Sequence, residues 1–303
     1  MKANISIISN PPKKEWEELL KRPELDSELL DKAIADIFTA VRSGGDKALH
    51  EFTQKFDGVE LKTIELSADE IKNSENLIGE GLKLAIREAA ENIDKFHSAQ
   101  RTSQVSIETM PGVRCWQKAV PIQRVGLYIP GGNAPLFSSV LMLAIPARIA
   151  GCKEIIMCTP PGKDGKVNPA ILYAAKIAGV NTIYTVGGAQ AIAAMAFGTE
   201  TIRPVSKIFG PGNQYVTAAK QMVQKLGVAI DLPAGPSEVL VMADETANAH
   251  FVASDLLSQA EHGADSQVML FATNKKIAAD TISAIDSQIE TLPRRDHILK
   301  SLE

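Results

Sequence analysis

The sequence predicts an α/β protein with a mainly parallel sheet, preceded by a helical section. Two observations carry this. From Arg124 onward, short β-branched runs alternate with helices of small residues, and most of the junctions between them are glycine turns. Before that point, apolar residues recur at helical spacing.

The helical section comes first. Leu29, Ala33, Ile37 and Val41, with Leu30, Ile34 and Phe38 beside them, form one apolar stripe, and Gly44-Gly45 is expected to end it. Ser67 followed by Glu70 is a capping box opening a second helical stretch. Leu77, Leu82, Ile86 and Ile93 mark its apolar side as far as about Phe96, and the charges between them read as a solvated face. Strands are predicted at 125–129, 154–158, 182–186, 206–209, 228–231, 238–242 and 268–271, with helices at 169–178 and 189–197. In such βαβ units ligands sit beyond the carboxyl ends of the strands. The turns Gly131-Gly132, Gly187-Gly188 and Gly210-Pro211-Gly212 fall there.

Composition narrows the function. A chain of 303 residues, 45% hydrophobic, is long enough for two domains with real cores, and 5% aromatic content leaves those cores to Ala, Val, Ile and Leu. A net charge of −4 offers no basic stripe, so nucleic acid is not an expected partner. The run Ile5-Ser6-Ile7-Ile8 is too short for a secretory signal. The most apolar window, 136–151, is broken by Ser138, Ser139, Pro146 and Arg148, so no membrane span is expected. Cys115, Cys152 and Cys158 are odd in number and form no C-x-x-C pair, which fits a reducing cytoplasm. Domain boundaries are expected near Val120 and within 233–236, with the middle segment one globule and the flanking sections joined into another.

Several residues stand out for chemistry. Gly210-Pro-Gly-Asn-Gln-Tyr215 begins like the dinucleotide fingerprint but has Tyr215 at the third glycine, so what remains is a glycine turn into a helix N-terminus. Tyr128 ends a strand, where its ring could stack on a ligand, and the glycines after it could let ligand atoms approach the backbone. Gln190 and Asn213 stand at corresponding points of two further turns. One Asn or Gln near a helix start is usually a cap; three polar positions at three equivalent turns make a cleft. Gln259 and His262, three apart near the end of a helix, could give zinc an oxygen and an imidazole nitrogen, although a lone His there is more often a dipole partner. Cys152 and Cys158 read as core filler, and His50, His97, His250 and His297 receive no role.

More specific are five segments in order: Arg124-Val-Gly-Leu-Tyr-Ile-Pro-Gly-Gly132, Val186-Gly-Gly-Ala-Gln-Ala191, Phe209-Gly-Pro-Gly-Asn213, Asp231-Leu-Pro-Ala-Gly-Pro-Ser-Glu238 and Ser258-Gln-Ala-Glu-His-Gly263. Together they resemble the histidinol dehydrogenase family, from about Ser27 to the end of the chain. The resemblance implies two incomplete Rossmann-like domains of aldehyde dehydrogenase-like architecture in a homodimer. They would comprise 27–119 plus 237–303 and 120–236, with 1–26 as an N-terminal extension. It implies oxidation of L-histidinol to L-histidine through the aldehyde, with two NAD+ reduced in turn. It places Tyr128, Gln190 and Asn213 on NAD, Ser237 on substrate, and Gln259 and His262 on both zinc and substrate. The metal would hold substrate and orient the carbinol.

The family takes its bases from a Pro-Glu-His segment and two further zinc ligands, an Asp and a His, from regions after it. No Pro-Glu-His occurs in these 303 residues, so the Glu-His pair is expected beyond Glu303. No catalytic base is assigned here, and Arg295-Asp-His297 is no substitute. The expectation is a cofactor cleft with half a metal site and no measurable turnover from residues 1–303 alone. The alternative is a nucleotide-binding fragment without catalysis. A zinc hydrolase is disfavoured because no base accompanies Gln259 and His262.

Overall fold

The structure, a computed structural model, describes residues 5–21, 27–131, 135–233, 238–262, 266–292 and 295–302. In chain order its elements begin with α1 (Trp16–Leu19), α2 (Ser27–Asp57), α3 (Ala68–Asn73) and α4 (Glu80–Ala99). Next come β1 (Ser106–Met110), β2 (Val113–Trp116), β3 (Arg124–Tyr128), α5 (Phe137–Ile149), β4 (Glu154–Thr159), α6 (Pro169–Ala178) and β5 (Thr182–Thr185). Then follow α7 (Gly188–Phe197), β6 (Lys207–Phe209), α8 (Gln214–Lys225) and β7 (Ala229–Ile230). The last are β8 (Glu238–Ala243), α9 (Ala249–Ala260), β9 (Gln267–Ala272), α10 (Lys275–Ile289) and α11 (Arg295–Ser301). They gather into two compact units, residues 27–233 and residues 1–26 with 234–303.

In the first unit five parallel strands lie in the order β5-β4-β3-β6-β7, with Tyr128 opposite Cys158 and Leu127 opposite both Met157 and Phe209. This is the third-second-first-fourth-fifth order of a doubly wound sheet, so the switch point lies between β3 and β6. Side chains alternate between two apolar faces. Leu127, Met157 and Ile183 join a core with Ile86, Leu141 and Ile171. Tyr128, Cys158 and Tyr184 join another with Leu49, Ile192 and Val216. Burial on both sides is why these strands read as continuous apolar runs. The segment 64–66 covers the β5 edge, with Leu66 N–H on Ile183 O and Thr185 N–H on Ile64 O. Helix boundaries follow local chemistry: Asn168 caps α6, Pro169 opens it, and Gly179 at φ 88° stops it.

Three features depart from the sequence reading. Gly45 does not end its helix; φ 53° and ψ −133° kink the chain there and α2 resumes to Asp57. The Ser67–Glu70 capping box forms, but the stretch it opens breaks after α3 and restarts as α4 beyond Gly79. An unpredicted antiparallel hairpin, β1–β2, stands out with every residue exposed. The contacts also group 27–119 with the five-stranded sheet, whereas the sequence reading joined them to 237–303. The cause is packing: α2 lies on α7 and α4 on α5, closing the two faces of the sheet.

The second unit is built on β8 and β9, parallel, with Leu240 opposite Met269. Val252, Leu256 and Leu257 of α9 and Ile277, Ile285 and Ile289 of α10 form its core, with Val239 and Val241 packed against it. Ile5 joins that core, and Gln267 donates its side-chain amide to Lys21 O at 3.2 Å, so the N-terminal residues belong to this unit.

Candidate cofactor turns and metal residues

Four strand-to-helix turns crowd the carboxyl edge of the large sheet. Pro160, after β4, sits between two glycines: a Cβ on Gly131 or on Gly187 would fall 2.5 Å from its ring. Gly210, after β6, lies at φ 131°, and any Cβ there would collide with the Tyr128 carbonyl. These glycines therefore admit neighbouring turns; of the pair after Tyr128 that the sequence reading expected to admit a ligand, Gly132 lies outside the described residues.

Tyr128 is 4% exposed, its ring inside the core that α2, α7 and α8 share. Its hydroxyl accepts the Gly188 N–H at 3.0 Å, satisfying the first donor of α7. The stacking expected of this ring is not what the structure offers; buried among aliphatic neighbours, the ring has no free face. Burial pushes the phenol up to about 12, so it stays protonated.

Gln190 stands one turn away. A Cβ on Gly188 would meet its Oε1 at 2.6 Å, so the amide folds back over the helix start. Gln190 is 2% exposed. A side-chain amide at the start of a helix, beside the switch point, is placed to hydrogen-bond a polar ligand group. Asn213 is exposed and caps α8, its Oδ1 accepting from Val216 N at 3.1 Å. The structure thus joins Tyr128, Gln190 and the Gly210–Asn213 turn at one edge, with Tyr128 and Asn213 also holding helix starts.

Two charged residues at this edge escaped the sequence reading. Lys220, on the buried stripe of α8 with Val216, Ala219 and Val223, donates to Gly210 O at 2.7 Å. Asp231 accepts from Gly210 N at 2.7 Å and pairs with Lys220. A lysine at helical spacing among apolar residues was the available signal. Asp57, at the end of α2, is half-buried with an Oδ2 that lacks a partner among the described residues, and burial raises its carboxyl above the ordinary value. Its charge also helps to raise Tyr128.

The second unit carries the metal candidates. Gln259 lies in the last turn of α9 and points its Nε2 at Ser266 Oγ, 3.4 Å away. His262 lies past the helix end, exposed, its backbone N–H on Gln259 O at 3.1 Å. An amide oxygen and an imidazole suit zinc in kind. In number they fall short, and no group of three or more His, Cys, Asp or Glu among the described residues could hold a metal. Ser237 lies outside the described residues. So does Glu303, beyond which the resemblance puts the Glu-His bases, and the described residues leave that expectation untested. Cys158 is buried, Cys152 partly so, and burial raises both thiols, which removes them as nucleophiles.

The sequence model for histidinol dehydrogenase matches residues 20–303. This chain belongs to that family. It is 57% identical over 299 residues to the histidinol dehydrogenase of Bacteroides thetaiotaomicron, covering 99% of this chain and 70% of the relative. The crystal structure of histidinol dehydrogenase from Elizabethkingia anophelis superposes with a TM-score of 0.95 at 53% identity, over 100% of this chain and 70% of that one. PnpE, solved in complex with nicotinamide adenine dinucleotide, shares the fold with a TM-score of 0.51 at 17% identity, over 88% of this chain and 55% of that one. The family is one of dehydrogenases, and this chain spans about seven-tenths of the length of the two family members compared. No helix among the described residues is long and apolar enough to cross a membrane.

Proposed function

We propose that this protein oxidises L-histidinol to L-histidine through the bound aldehyde, reducing two NAD+ in turn, with the cofactor at the carboxyl edge of the five-stranded sheet. Family membership supports the reaction. The observation that carries the cofactor assignment is the meeting of the α7 start, which bears Gln190, with Tyr128 at the end of β3, beside the switch point. Gln190 offers the cofactor a donor and an acceptor, Asn213 presents the start of α8, and Tyr128 fixes the start of α7. Bound NAD supplies the hydride acceptor.

On the substrate side, Ser237 contacts histidinol, and Gln259 and His262 are two ligands of a zinc ion that holds it. Their donor types support this, while two donors are fewer than a zinc site usually has and no Pro-Glu-His segment occurs in these 303 residues. A homodimer in the cytoplasm completes the reading. The exposed hairpin supports the dimer, because it leaves four large apolar side chains, Ile107, Met110, Val113 and Trp116, to solvent.

Calorimetric titration with NAD+ tests the cofactor site, and histidinol-dependent NADH absorbance tests the reaction. Gln190→Ala is expected to weaken NAD+ about tenfold, the loss of one ligand hydrogen bond, with the fold intact. Unchanged affinity would overturn the assignment. From residues 1–303 alone, NAD+ binding without histidinol-dependent NADH, zinc supplied, is the expected outcome; turnover within about tenfold of a full-length family enzyme would overturn this account of the site.

A further inference from the structure

Gly210 has both of its backbone polar groups held by charged side chains from other elements. Asp231, just after β7, takes its N–H, and Lys220, in the second turn of α8, takes its carbonyl. The two side chains pair with each other, so one residue closes a three-membered network. Lys220 is only 2% exposed. Burying an ammonium is costly unless it is paired and hydrogen-bonded, and packing alone at this position would be served by Met or Leu. A simple structural ion pair would need only its two members. Here both converge on a glycine whose φ of 131° and contact with Tyr128 exclude every other residue. Through it, the angle at which α8 leaves β6 is tied both to the body of the helix and to the end of β7.

We propose that Lys220 and Asp231 are positioning residues for the cofactor: acting through Gly210, and without touching the ligand, they set the Gly210–Asn213 turn in its binding conformation. The inference rests on the cofactor reading above. A site that must present Asn213 and the α8 start at a fixed place needs a shell that cannot shift, and a residue held at both its N–H and its carbonyl provides it.

The test compares wild type, Asn213→Ala, Lys220→Met and Asp231→Asn by NAD+ calorimetry, thermal melting and hydrogen exchange at the Gly210 amide. Lys220→Met frees the Gly210 carbonyl and should weaken NAD+ about tenfold or more; exchange at the Gly210 amide should rise as the turn loosens, although Asp231 remains its acceptor. Asp231→Asn keeps an acceptor for that amide but weakens the pairing, and should lose about threefold. If Lys220→Met does not fold, Asp231→Asn decides by the same readings. Lower melting temperatures with unchanged NAD+ affinity in the folded protein would reduce the pair to a structural ion pair and overturn the proposal. Weaker binding in Asn213→Ala, with Lys220→Met and Asp231→Asn unaffected, would overturn positioning and leave the cofactor reading standing. Unchanged affinity in all three variants would overturn the cofactor reading of this turn, and this inference with it.

Discussion

The two units treat a parallel strand in different ways. β3 is buried along its whole length, with Leu127 and Ile129 on one face and Tyr128 on the other. β8 is buried on one side only: Val239 and Val241 pack toward α9 and α10, while Leu240 is 48% and Met242 77% exposed. Parallel sheets usually carry helices on both faces. The first unit meets that condition and the second, among its described residues, does not. Where cover is complete, polar groups depend on built partners, and the Lys220–Asp231–Gly210 network and the Tyr128–Gly188 bond are such partners, although the Thr53, Thr159 and Thr185 hydroxyls have none among the described residues. Where a face is open, water can serve instead. The proposed cofactor residues therefore sit in a tightly specified setting, and His262 in a loose one.

The most severe test of this contrast is Gly210→Ala. A methyl there meets backbone, not a movable side-chain tip, and the residue would also have to hold φ 131°. The expected cost exceeds about 4 kcal/mol, enough to unfold the first unit or shift its urea midpoint by more than about 1 M. An unchanged midpoint would mean the turns at this edge can move apart, and the contrast would be lost.

A pair of truncations sharpens it. Leu141 is fully buried against the sheet, so Leu141→Ala should cost about 2–5 kcal/mol. Met242→Ala, on the open face of β8, should stay within about 0.5 kcal/mol. Comparable losses at the two positions, in chemical denaturation of the same chain, would show that the β8 face is covered in solution.

The same contrast explains what the sequence could reveal. Strand and helix positions were readable because alternation and small-residue helices repeat over several βαβ units; the helix at 169–178 carries its own cap, proline and glycine stop. Gly45 was misjudged because a glycine at φ 53° kinks a helix as readily as it ends one. The β1–β2 hairpin, exposed on both faces, has no burial pattern to announce it. At the site, the positions of Tyr128, Gln190 and Asn213 were legible from the turns, but not what Tyr128 does. Its burial comes from α2 and α7, more than 50 residues away on either side. Lys220 and Asp231 were missed for the same reason, because their partners are the backbone groups of Gly210, which composition cannot mark.

Tyr128→Phe is the next test in size. It removes the acceptor of the Gly188 N–H while keeping the ring in the core, and leaves a donor unpaired at the start of α7. The expected destabilisation is about 1–3 kcal/mol, with NAD+ affinity falling as α7 loosens. If stability and affinity were both unchanged, the hydroxyl would not hold the helix, and the turn edge would be less specified than its geometry suggests.

Asp57 gives the smallest effect, and it probes a carboxylate of the covered unit that lacks a built partner among the described residues. It stands at the carboxyl end of α2, where the helix dipole disfavours negative charge, with Oδ2 buried and unpaired. Burial raises its folded pKa above the usual 3.8. The folded state therefore holds this proton more tightly than the unfolded chain. Stability from this group is fully present below the ordinary carboxylate value and is lost as pH rises through the raised one. Asp57→Asn removes the charged form, so at neutral pH the variant should melt about 1–2 °C higher, a small gain because the half-exposed carboxylate is already eased by solvent. The gain should shrink as the buffer is acidified toward the ordinary carboxylate range, where wild type carries its proton as well. A gain that grows on acidification, or a variant less stable at neutral pH, would reverse the sign. Asp57 would then have a partner in solution, and the exceptions in the covered unit would narrow to neutral hydroxyls such as those of Thr53, Thr159 and Thr185.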